Sequence, residues 1–392
     1  MLRPVSLLIT GISFAGLNLL ELFGISFSYL FLIMILLRID KLSYDKLSLT
    51  IIIFSLYILV SYSWGSSIRE VSRVILPFLS FYLIRVAVSS RKQLEIIAIF
   101  FILGFSVAIL YSLYNILFGD TLQQVVYQTT IERYSGGFSG VHSMAHTMCF
   151  FSFVYSFFYF AINQKNKIYQ LINFILLIIS FYCAYKASVR TVFLGLICFW
   201  SFYLMVQNFK TKIVSITLII FCSLFFITYI QNIFWQTEKM SIRDKENLDK
   251  ASSGRTMIWK NNLDVFINKY SIEEKIIGIG LGNENKNLES NSGFVFSSHN
   301  DFLTLLMTLG LLGLFFYLVL IILIIRDIIV FKISKKLKIY YIGVVASVMV
   351  MNFVSNSYIN RFQLAQMFWL LIGTLYTFYE LDHLRNIEVK TT

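Results

Sequence analysis

Charge is scarce in this chain. Only 14% of its 392 residues are charged, against 57% hydrophobic, whereas ordinary soluble domains carry about 25% charged residues. That balance excludes a soluble enzyme of this length. Proline is nearly missing, with Pro4 and Pro77 the only two, so helices can run with little interruption. Cysteine is sparse as well. Cys149, Cys183, Cys198 and Cys222 all fall inside apolar runs, which reads as small core residues, with neither a disulfide framework nor zinc-ligand spacing. The period-two alternation of a transmembrane β-barrel is absent. The net charge of +12 is not gathered into a basic soluble module. It therefore argues against nucleic acid as a partner and for Lys and Arg as topology determinants.

What is present is a series of apolar runs near residues 5–22, 25–37, 48–64, 72–88, 94–118, 141–161, 168–187, 190–207, 212–230, 302–326, 338–356 and 362–380. Most reach roughly 17–25 residues, the length that crosses a bilayer as a helix. The expectation is an all-α polytopic membrane protein of about 12 transmembrane helices, its first helix retained because no convincing cleavage site follows Arg3. With the N-terminus in the cytoplasm, every inside loop is basic: Arg38, Lys41 and Lys46; Arg91 and Lys92; Lys165 and Lys167; Lys210 and Lys212; Arg326 to Lys338; Arg385 and Lys390. The short outside loops hold fewer cations, namely Arg69 and Arg73, Arg133, Lys186 and Arg190, and Arg361. This alternation places both termini inside.

One polar stretch, 231–301, interrupts the pattern on the outside face. It divides the chain into helices 1–9 (1–230), a large partly helical periplasmic loop (231–301), and helices 10–12 with a cytoplasmic tail (302–392). Within the loop, WKNNLDVFINKY (259–270) has the apolar spacing of an amphipathic helix. GIGLGNENKN (278–287) reads as a glycine-rich turn. No internal repeat relates the two halves.

The informative residues are ionisable and lie at the outer face, where charge at membrane depth is costly. Arg190 begins a helix in ASVRTVFLGL, and Arg69 and Arg73 share one helical face. Arg133 sits in ERYSGGFSG, Arg255 in SSGRTMIW, and His299 in SSHNDFL just before an apolar helix. Several guanidinium groups on one face suit a phosphate-bearing substrate. A histidine beside them suits proton abstraction from a hydroxyl nucleophile. Bland readings stand beside these: Arg69, Arg73 and Arg361 can simply snorkel to the interface, and His299 can be a helix-start residue bonded to backbone. His142 and His146 lie one helical turn apart, without the glutamate of a zinc-protease helix, so no metal site is expected. His383 is assigned nothing.

In order, SVRTVFLGL (188–196), SGRTMIW (253–259), GIGLGN (278–283) and SSHNDFLTLLMTLGLLGLFFYL (297–318) resemble the O-antigen polymerase and O-antigen ligase superfamily of integral membrane glycosyltransferases. ERYSGGFSGVHSMA (132–145) is similar to that superfamily's earlier Arg-x-x-Gly-x-Phe block, with His142–Ser143 where asparagine is expected. The resemblance implies a glycosyltransferase-C-like core in the bacterial inner membrane, its active site facing the periplasm. The donor would be an oligosaccharide on undecaprenyl pyrophosphate, used without cofactor, metal or nucleotide sugar. Membrane lipids and a chain-length regulator would be the other partners. Arg190 and Arg255 would bind the pyrophosphate and stabilise the charge on it as it leaves. His299 would be the general base, with Asn300 orienting it or a sugar. Arg69, Arg73 and Arg133 would form a further ring of phosphate or glycan contacts. A single displacement would invert the anomeric centre. A polymerase is the preferred expectation, because the outer blocks diverge from the ligase-like pattern. A ligase acting on lipid A core is the alternative. A transporter or flippase is disfavoured by the missing repeat.

Overall fold

The computed structural model describes residues 45–119, 133–138, 140–162, 167–207, 255–285, 298–355 and 361–391, with isolated positions at 13–14, 17–18, 35, 122–123 and 288. Twelve helices are named here: α1 Lys46–Val60, α2 Ile68–Ile75, α3 Phe78–Ala87, α4 Arg91–Phe118, α5 Val141–Phe157, α6 Lys167–Ala187, α7 Arg190–Met205, α8 Arg255–Asn268, α9 Ile272–Ile277, α10 Asp301–Val330, α11 Lys335–Val354 and α12 Phe362–Thr391. Caps explain several starts. Asp45, Ser90, Ser271 and Ser334 each accept a backbone N–H of the first turn of the helix that follows, the usual way orphan donors are satisfied.

Helices pack in pairs. α7 lies against α11, α3 against α12, α5 against α6, and α10 against both α1 and α9. Their outward faces stay apolar: Leu49, Ile52 and Leu56 on α1, Phe100, Leu103 and Val107 on α4, and Phe315, Leu318 and Ile322 on α10 are exposed. Such a surface is stable against lipid, not water. Among the described residues, five helices are long and apolar enough to cross a membrane: Lys46–Trp64, Arg91–Phe118, Lys167–Ala187, Asp301–Val330 and Lys335–Val354. The expected count of about 12 spans is not reached among them. The run 212–230 and almost all of 25–37 lie outside the described residues. In the run 5–22, Ser13–Phe14 and Leu17–Asn18 pair antiparallel and are not helical. α5 and α7 are only 17 and 16 residues long.

Two interruptions depart from the continuous helices that low proline content implies. The run 72–88 is broken at Leu76–Pro77 into α2 and α3, because Pro77 has no N–H to continue the ladder. The second break is in α10, where Gly310 (φ 66°, ψ −168°) is not helical. The carbonyls freed there are satisfied from elsewhere in the chain. Met307 accepts from Ile279 N–H (3.2 Å), Thr308 from Gly280 N–H (2.9 Å), and Leu309 from the Tyr57 hydroxyl (2.6 Å). A Cβ at Gly278 would lie 2.3 Å from the Thr308 backbone, and one at Gly310 would lie 2.3 Å from the Ile276 carbonyl. Glycine is therefore required on both sides of this backbone-to-backbone junction. The described part of the turn expected at 278–287 is thus tied to α10 by backbone hydrogen bonds.

The expected amphipathic helix is α8. It buries Val265 and Phe266 in a small separate core with Tyr270, Leu288, Leu303 and Met307, which seats the loop over the start of α10. Cys149 and Cys183 are buried free thiols and Cys198 is a half-buried one. Cys222 lies outside the described residues.

Candidate active site

Five helices begin where the candidate residues lie. His142 is in the first turn of α5, Arg190 opens α7, Arg255 opens α8, His299 precedes α10, and Arg361 precedes α12. Each helix N-terminus carries roughly half a positive charge and leaves N–H groups without helical partners. A helix end of this kind favours an anion.

The arginines add full charges. Arg255 and Arg133 bear on Arg190 as like charges. Arg361, Arg133, Arg255 and His299 all bear on His142. The four guanidinium groups thus share one electrostatic neighbourhood, although they come from stretches more than 200 residues apart. Burial pushes the Arg133 guanidinium below its ordinary pKa. Burial, and then the nearby Arg133 charge, does the same to Arg255. Arg361 is lowered to about 10 by burial, with the Asp301 carboxylate opposing the shift. All three remain protonated at neutral pH. The Arg133 Nε is buried without a hydrogen-bond partner among the described residues. Arg255 donates one guanidinium N–H to the Val354 carbonyl at the end of α11.

Arg361 reaches the ring of buried His146, its Nη1 lying 3.1 Å from Nδ1 and 3.4 Å from Nε2. Nδ1 is also 2.8 Å from the His142 carbonyl. A carbonyl can only accept, so Nδ1 donates to it and cannot accept from Arg361. That tautomer leaves Nε2 as the ring's acceptor, and Arg361 Nη1 donates to it at 3.4 Å. On the other side is Asp301, to which Asn352 donates (3.2 Å) when its amide is oriented to suit all its neighbours.

His299 is exposed and has the left-handed backbone conformation, φ 47°, which costs a non-glycine residue on the order of 1 kcal/mol. Its neighbours on both sides are fixed. The Ser298 N–H donates to Glu284 Oε1 (2.9 Å), and the Ser298 carbonyl accepts from Trp259 Nε1 (2.7 Å). Asn300 caps α10 by accepting the Leu303 N–H (3.1 Å). Crowding by surrounding protein, then the charges of Arg255 and Arg361, push the His299 imidazole below its usual range. At neutral pH the ring is neutral and able to take a proton.

The structure thus brings together Arg133, Arg190, Arg255 and His299 from the sequence reading. It does not bring Arg69 or Arg73 among the charges bearing on them. Both lie on α2, where Arg73 pairs with Glu70 (2.8 Å). The Asn300 side chain serves as a helix cap. Arg361, Asp301 and Glu284 were passed over as site residues. For Arg361 the sequence offered a signal, a cation at an outer helix start, but spacing alone cannot separate a snorkelling arginine from an inward one. Among the described residues, no three His, Cys, Asp or Glu side chains gather as a metal site.

No curated protein matches the chain. Residues 172–318, which include Arg190, Arg255 and His299, match the family described as O-antigen ligase. Its five candidate spans fit a multi-pass membrane protein, and the match over 172–318 supports membership of the O-antigen polymerase and ligase superfamily.

Proposed function

We propose that this protein is a surface-polysaccharide polymerase of the bacterial inner membrane, an inverting and metal-independent glycosyltransferase acting at the periplasmic face. It transfers a glycan from undecaprenyl pyrophosphate to a lipid-linked repeat unit. One observation carries this reading: Arg255 and Arg361 act on a neutral, exposed histidine, and Arg133 and Arg190 share a neighbourhood with Arg255. The cations suit a pyrophosphate, and the histidine suits a hydroxyl.

In the transfer, His299 takes the proton of the acceptor hydroxyl as its oxygen bonds to the anomeric carbon. The bond from that carbon to the pyrophosphate oxygen breaks, and its electron pair leaves on the phosphate. Arg190 and Arg255, with Arg133 and Arg361 beside them, stabilise that negative charge as it develops. A pyrophosphate diester is already a good leaving group, so no acid need protonate it. One base and a cationic cradle are sufficient. Attack opposite the leaving group inverts the anomeric centre. Arg69 and Arg73 are proposed to contact the glycan away from the reacting bond, and a chain-length regulator is a proposed partner.

The second reading is a ligase that moves the finished chain to lipid A core. The matched family's description favours it. The divergent block around His142–Ser143 favours the polymerase. Deletion separates them: loss of a polymerase leaves lipid A core bearing one repeat unit, and loss of a ligase leaves it bare. For the mechanism, His299→Ala at unchanged protein level should reduce consumption of lipid-linked repeat units by about 10²–10⁴-fold in a reconstituted assay without nucleotide. Full activity in that variant would remove His299 from the reaction.

A further inference from the structure

Glu284 is a buried carboxylate in the turn that follows α9. Its two oxygens are committed to protein donors. Oε1 accepts the Ser298 N–H at 2.9 Å, and Oε2 accepts the Thr304 hydroxyl at 3.3 Å. Ser298 Oγ lies 2.6 Å from the same Thr304 hydroxyl and donates to the Asn300 carbonyl at 3.1 Å. This carboxylate therefore ties the loop to both ends of the turn that holds His299. From the other side, Trp259 of α8 holds the Ser298 carbonyl at 2.7 Å. His299 is left between two fixed residues, with its backbone in the left-handed region. With both oxygens engaged and the residue 7% exposed, Glu284 cannot itself reach a substrate hydroxyl.

We propose that Glu284 is the positioning residue for His299: by fixing Ser298 it holds the left-handed backbone that presents the imidazole at the mouth of the arginine cluster. The inference rests on the assignment of His299 as the base. It explains why a carboxylate is kept buried here while Asp264 and Glu273 of the same loop are exposed. An amide oxygen at the same place would still accept the Ser298 N–H, and Thr304 could then accept from the amide nitrogen. Hydrogen-bonding geometry, and not charge, is what the position requires.

The test uses the full-length protein in lipid nanodiscs with undecaprenyl-pyrophosphate-linked repeat units as substrate. Glu284→Ala should lower kcat by about 100-fold, the loss that a misplacement of roughly 1 Å produces, with the donor KM essentially unchanged. Glu284→Gln should restore most of the wild-type kcat and keep the same acid limb in its pH profile. Wild-type kcat in Glu284→Ala would overturn the proposal, and so would a rise in KM without a fall in kcat. If Glu284→Gln is as slow as Glu284→Ala at an unchanged melting temperature, the charge itself is used and the positioning role is wrong. Should Glu284→Ala fail to accumulate, Trp259→Phe decides. It removes the second tie on Ser298 while keeping a ring, so kcat should fall at unchanged KM, and a wild-type kcat would overturn the proposal. His299→Ala assayed in parallel separates the two levels. Full activity there overturns the functional reading and this inference together, whereas an inactive His299→Ala beside a normal Glu284→Ala overturns this inference alone.

Discussion

The two ends of α12 hold arginines in opposite circumstances. Arg361 precedes the helix, and Glu380 lies roughly 28 Å further along it at the helical rise. Glu380 binds Arg85 at 2.5 Å, and Asp45 binds the same guanidinium at 2.6 Å. Ser48 Oγ accepts from it at 2.9 Å, and the rings of Phe81 and Tyr376 flank it. That arginine is buried with two carboxylates of its own. Around Arg361 the pattern reverses. Arg133, Arg255 and Arg361 form no ion pair among the described residues; Arg133 acts on Arg255 as a like charge, all three act on His142, and Arg255 and Arg361 act on His299. A buried cation satisfied inside the protein belongs to the scaffold. Cations gathered against their own repulsion, with the Asp301 carboxylate bearing on Arg361, suit the anionic donor proposed above.

The largest effect should come from the second set. Arg255→Ala should cost about 10²–10³-fold in turnover, the usual loss of one donor that meets developing charge. Arg255→Lys should recover only part of it, because an ammonium cannot form two parallel bonds to phosphate oxygens. The readout is polymer formed per mole of protein in vesicles. A lysine variant as fast as the wild type would mean that a point charge is enough there, and the fork geometry would lose its role.

The first set should respond in stability. Removing Arg85 leaves Asp45 and Glu380 facing each other without their cation, so Arg85→Ala should lower unfolding free energy by about 3 kcal/mol. That is the lower end of the range for buried pairs, since both carboxylates keep some contact with solvent. Turnover per folded molecule should hold. Arg133→Met should do the reverse: its melting temperature in detergent should hold or rise as repulsion is relieved, while donor binding weakens. Equal destabilisation by the two variants would dissolve the contrast between the ends.

How much of this was legible beforehand follows the range of each signal. The amphipathic spacing at 259–270 gave α8, because one helix face decides burial locally. Arg190, Arg255 and His299 stand out as candidates because each sits in a short block with its own residue order. The break at Gly310 was hidden. Its LGLLG surroundings read as ordinary apolar helix, and the partners that satisfy the break, Ile279, Gly280 and Tyr57, lie about 30 and 250 residues away. Glu284 was hidden for a similar reason, as one acid among many in a polar loop whose burial depends on Ser298 and Thr304. Arg69 and Arg73 mark the limit of local spacing: i,i+4 separation puts them on one helix, but it cannot say which cluster that helix faces.

The smallest predicted effect tests the coupling between the arginine cluster and the base. Protein crowding, and after it Arg255 and Arg361, hold the His299 imidazole below its unfolded value of about 6.5. Activity should be flat through neutrality and fall on the acid side as the ring takes a proton. Stability follows the same sign. Below pH of about 6.5 the unfolded chain binds the proton first, so folding weakens as pH falls, until the folded-state pKa is passed and the loss is complete. Arg361→Gln removes one of the two cations, so the imidazole pKa should rise and the acid limb of kcat/KM should move toward neutrality by a fraction of a pH unit. His142 shares these cations, so His142→Gln serves to assign the limb: it should leave the limb in place if His299 is the titrating base. A limb that stays fixed in Arg361→Gln, or moves to lower pH, would mean that Arg361 does not act on the base and belongs, like Arg85, to the scaffold.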